Sequence, residues 1–136
     1  MTKQHAITMW IIWFAMLQSA FIFPFFLGEG FPEGANAEVP MDAWIWVACF
    51  SPLITGTVLR WLVIPKMKEA QQMLVGLIIG MSFGEVAILL SIFLIGSDYP
   101  QNQIAVLIVA VLMLILMAPS YATPGVNPEK DSIDPA

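Results

Sequence analysis

Four stretches of this chain each run for about twenty residues with almost no charge, long enough as helices to cross the hydrocarbon of a bilayer. They lie at about residues 6–27, 43–64, 73–95 and 100–121. In hydrocarbon a segment must satisfy its own N–H and C=O groups, so each stretch is predicted to be an α-helix. Of the 136 residues, 59% are hydrophobic and 11% charged. That is too little polar surface to cover a water-soluble domain, and it is the reverse of a disordered composition. The expected fold is all-α: a polytopic membrane protein with a four-helix transmembrane domain over residues 1–122. A flexible tail rich in Pro and charge is expected over 123–136.

The basic residues orient the helices. Lys3, Arg60, Lys66, Lys68 and Lys130 are all there are, and the 28–42 and 96–103 loops contain none. Because basic residues favour the cytoplasmic side, both termini are predicted inside and those two loops outside. The location implied is the inner (plasma) membrane, multi-pass, with the lipid bilayer as first partner. Trp44, Trp46 and Tyr99 fall near the predicted outer interface, and Trp10, Trp61 and Tyr121 near the inner one, as aromatic belts do. The first apolar run exceeds a signal-peptide core and reads as a retained helix. A net charge of −5 without a basic patch argues against nucleic acid.

Local punctuation agrees with these boundaries. Asp42 is placed to cap the second helix, and Ser97 and Asp98 to cap the fourth ahead of Pro100. Pro52, in mid-helix, should free the carbonyl of Ala48. Cys49 stands alone and the one histidine, His5, lies in the N-terminal tail, so neither a thiolate nor a multi-histidine metal site is expected within one chain.

Glu85 is the one acid inside a predicted span, near the bilayer centre, where a carboxylate is costly and defaults to a functional role. At 1.5 Å per residue, Gln18, Ser19, Ser51 and Thr55 fall at the same depth. Glu85, Gln18, Ser51 and Thr55 are therefore the candidate ion-binding residues. Arg60 lies about 12 Å nearer the inner boundary than Glu85 and is expected to snorkel outward as an orientation anchor. Gly76, Gly80, Gly84, Ala87 and Ser91 form a stripe of small residues on one face, suited to close helix packing against this chain or another copy.

The stretch GLIIGMSFGEVAILLSIFLIG, within a hairpin over about residues 43–95 that has a basic connection, resembles the carboxylate helix of ATP synthase rotor-ring (c) subunits. That resemblance implies that Glu85 binds H⁺ or Na⁺, helped by a glutamine and a hydroxyl, with no other cofactor. Two function classes follow. One is ion binding at Glu85 in an oligomeric transport, channel or rotor-like assembly, built as a homo-oligomer or with other membrane subunits. The other is a non-catalytic accessory subunit whose glycine groove docks a partner while Glu85 is merely satisfied. No nucleophile–base pair or metal cluster is evident in the chain, which argues against an enzyme.

Overall fold

The computed structural model describes residues 1–28 and 30–122. Glu29 of the acidic loop, and the expected tail over 123–136 with Lys130, lie outside the described residues. The described residues form four α-helices: α1 Lys3–Phe26, α2 Ala43–Val58, α3 Ala70–Leu90 and α4 Pro100–Leu116. Among the described residues there is no strand. α3 packs on each of the other three helices, α1 and α2 both also touch α4, and α3 is therefore the hub.

Two of the helices run on past their α-helical part. α2 widens into a π-helical turn over Leu59–Val63, where Ile64 N–H returns to Leu59 O, and then tightens over Ile64–Lys66. Pro65 has no N–H to offer the preceding turn, and the register changes just ahead of it. α3 widens in the same way over Ser91–Ile95. It is stopped by Gly96, whose φ of 65° lies in the region glycine enters without penalty. Counted with these extensions, Lys3–Phe26, Ala43–Lys66 and Ala70–Asp98 are each long and apolar enough to cross a membrane.

The fourth helix is shorter than the expected 100–121. It ends at Leu116 after 17 residues, about 26 Å. Pro119 explains this, since it cannot donate to Ile115 O and it disfavours helical backbone at Ala118. Ala118 N–H closes instead on Ile115 O, and the chain turns over Pro119–Ala122.

The helices bury small and flexible residues and turn large ones outward. Ala6, Met9, Ala20, Leu77, Met81, Ala87, Ala110, Met113 and Leu114 fill the centre, while Ile11, Phe14, Phe25, Val47, Ile54 and Phe93 stand exposed. The glycine stripe of α3 is the closest meeting place. A Cβ at Gly84 would fall 2.5 Å from Leu114 Cδ2, and one at Gly80 would collide with the Met117 methyl. One at Gly76 would press on Ile64 and Met67. The groove is thus occupied by side chains of this chain, with Ala87 and Ser91 continuing the buried line. Methionine suits the task, because its unbranched thioether follows an irregular hollow.

The two loops lacking basic residues meet at one end of the bundle. Asn36 Nδ2 donates to Asn102 Oδ1 at 3.0 Å, Ala37 N–H to Asp98 O at 2.9 Å, and Tyr99 OH to Val39 O at 2.8 Å. The caps differ from those expected. Asp42 precedes α2 without a side-chain capping bond. At α4 the acceptor is Asn36 Oδ1, which takes the Gln101 N–H at 3.0 Å, whereas Ser97 and Asp98 belong to the preceding tight turn. His5 lies in the first turn of α1, where Thr2 Oγ1 caps its N–H.

Candidate functional site

Depth is fixed by the crossing of α2 and α3. A Cβ at Gly56 would lie 3.2 Å from Gly80 O, so these glycines face each other. Moving five residues toward the loop end from each reaches Ser51 on α2 and Glu85 on α3, which therefore share one level. On α1 the same level is occupied by Ser19, whose Oγ lies 2.8 Å from Glu85 Oε1.

The structure brings Ser19, not the four candidate residues together, to the acid. Ser51 and Thr55 occupy the exposed side of α2, and their hydroxyls turn back onto their own helix. Ser51 Oγ reaches Ala48 O, the carbonyl left open by Pro52, at 3.4 Å, and Thr55 Oγ1 reaches Ser51 O at 2.8 Å. Such back-bonding is the ordinary habit of helical Ser and Thr in apolar surroundings. Gln18 is half-buried beside Ser19 in sequence. Sequence reasoning placed Ser19 in the polar layer without choosing it, and only the rotation of α1 about its axis makes the choice. Since α1 is apolar on every side, its sequence carries no seam to fix that rotation.

The geometry at Ser19 constrains its proton. Ser19 Oγ is also 2.6 Å from Met16 O. One hydroxyl carries one hydrogen, yet two oxygen acceptors stand within bonding distance. Glu85 itself is half-buried.

Arg60 belongs to a second polar cluster. It is 5% exposed, its head group held by this chain's own residues where an outward anchor was expected. Its Nη2 donates to Ser120 Oγ at 3.0 Å and to Ala118 O at 3.3 Å, and its guanidinium lies 4.7 Å from the Trp61 ring centroid and 4.8 Å from that of Tyr121. The physical reason is the early end of α4, which leaves carbonyls without donors and a partial negative charge that a cation complements. Trp13 Nε1 from α1 serves the same end by donating to Leu114 O at 2.8 Å. Arg60 Nε and Tyr121 OH stay buried without a hydrogen-bond partner among the described residues. Trp61, next to Arg60 in the chain, was the available signal, because guanidinium planes stack on such rings. Arg60 and Glu85 have separate partners, Ala118 and Ser120 for the one and Ser19 for the other.

Among the described residues no group of three or more His, Cys, Asp or Glu side chains is arranged to hold a metal ion. Compared with known protein families, with curated proteins and with solved structures, the chain matches none.

Proposed function

We propose that this is a multi-pass protein of the inner (plasma) membrane, with both termini cytoplasmic, in which Glu85 reversibly holds a proton or a monovalent cation. The membrane reading is supported by three helices of sufficient length and by the large apolar side chains turned outward along them. The orientation is supported by the gathering of both base-free loops at one end, with Arg60, Lys66 and Lys68 toward the other.

The observation that carries the ion-binding reading is the position of Ser19 Oγ between Met16 O and Glu85 Oε1. With a proton on Glu85, the carboxyl O–H donates to Ser19 Oγ and the Ser19 O–H donates to Met16 O, so each hydrogen has an acceptor. A bare carboxylate takes the hydroxyl hydrogen and leaves two oxygens facing each other at 2.6 Å. A sodium ion in place of the proton would find three oxygens, from Glu85, Ser19 and Met16, with Gln18 adjacent in the chain. In an oligomer, Ser51 and Thr55, both exposed on α2, would be available to meet Glu85 of a neighbouring copy. An oligomeric transport, channel or rotor-like assembly follows from that pairing. The filled glycine groove offers no such surface to a foreign subunit.

Labelling with a hydrophobic carbodiimide, which attacks protonated carboxyls, tests the proposal in membranes. Modification of Glu85 is expected to fall as pH rises and to be slowed by sodium, or by pH alone if the site takes only protons. Absence of labelling at every pH overturns it.

A further inference from the structure

At the loop end of the bundle a cleft of about 710 Å³ opens between the end of α1, the loop that follows, the widened end of α3 and the first turn of α4. Its volume falls within the range of small-molecule sites. Phe25, Phe31, Ile92 and Phe93 supply an apolar wall, in which the Phe25 and Phe31 rings meet edge to face with centroids 5.0 Å apart. On the α4 side of the cleft lies Gln103, only 7% exposed. Its backbone N–H is held by Tyr99 O, but its side-chain amide hydrogen-bonds to nothing among the described residues. The amide is not sealed within the protein, so it is reachable from the cleft that it lines. Glu33 stands at the same cleft. Neither loop at this end carries a Lys or Arg, while Glu38, Asp42 and Asp98 add to the negative field.

We propose that this cleft binds a lipophilic cation, with its charge near Glu33, its apolar body against Phe25, Phe31 and Ile92, and a polar edge on the Gln103 amide. The chemistry is complementary at each point. An aromatic face attracts a cation, the acidic rim admits positive charge and repels negative, and the amide provides a directional bond beside the aromatic wall. The site is separate from Glu85 and does not depend on the reading given to it.

Tetraphenylphosphonium and tetraphenylborate have nearly the same shape and opposite charge, and they separate this proposal from greasy adsorption. Binding of each to the purified full chain in detergent is measured by equilibrium dialysis against protein-free micelles. Tetraphenylphosphonium is expected to saturate at one per chain and tetraphenylborate not to saturate. Glu33→Gln and Gln103→Leu should each weaken the cation about tenfold, while Glu85→Gln leaves it unchanged. Glu33 is exposed in a loop, so its variant remains informative if Gln103→Leu does not fold. Equal binding of the two ions overturns the proposal. So does cation binding that survives Glu33→Gln and is lost in Glu85→Gln, which would place the cation at the intramembrane acid.

Discussion

At the residue scale, Ser19 and Glu85 behave as one unit, and substitutions can take the hydrogen bond and the proton away separately. Glu85→Gln puts an NH₂ donor where the protonated acid has its O–H, so Ser19 keeps its partner. Thermal unfolding in detergent should move by less than about 1 kcal/mol, while carbodiimide reactivity disappears. Ser19→Ala should cost about 1 kcal/mol and leave the acid reactive. Arg60 is expected to matter more to stability than either. Arg60→Ala strands Ala118 O and Ser120 Oγ and opens space between Trp61 and Tyr121, at a cost of about 2–4 kcal/mol by the same measurement. An exposed anchor at that position would cost well under 1 kcal/mol. Arg60 could be singled out in the sequence, but not its partners. It points to the end of α4 because Pro119 stops that helix early, and the consequence of that proline for a residue almost sixty positions away appears only when the two helices pack.

At the level of elements, the four helices and their loops were readable because each apolar run is long and is bounded by charge, Gly or Pro. The small-residue stripe on α3 was readable as a packing face as well. Its partner was not, since α4 is apolar all round and any of its faces could have served. Met113, Leu114 and Met117 form the face that does. Gly84→Leu should therefore displace the fully buried Leu114 and destabilise the protein by about 1–3 kcal/mol. Ile79→Ala, on the exposed side of the same helix, should stay within about 0.5 kcal/mol. Thermal unfolding of the two variants in the same detergent compares the faces. The cap on α4 lay beyond sequence reading for a related reason. Asn36 reaches Gln101 across two loops, whereas capping rules look only to the residues next to a helix.

For the whole molecule, the charge pattern and the loop contacts make a statement about sides. In a Cys49→Ala background, Lys68→Cys should react with an impermeant maleimide only in inverted vesicles, and Ser97→Cys only in right-side-out ones; the reverse would invert the topology. The proposed function rests on a proton held by the Glu85 carboxyl at the Ser19 hydroxyl, inside the bundle. Infrared spectra of the protein reconstituted in sodium-free lipid, taken over a range of pH, read this directly. A carboxylic-acid C=O stretch is expected that shifts in D₂O, moves to higher frequency in Ser19→Ala and vanishes in Glu85→Gln. A spectrum with carboxylate bands alone, unchanged by Glu85→Gln in the carboxylic-acid region, would contradict it.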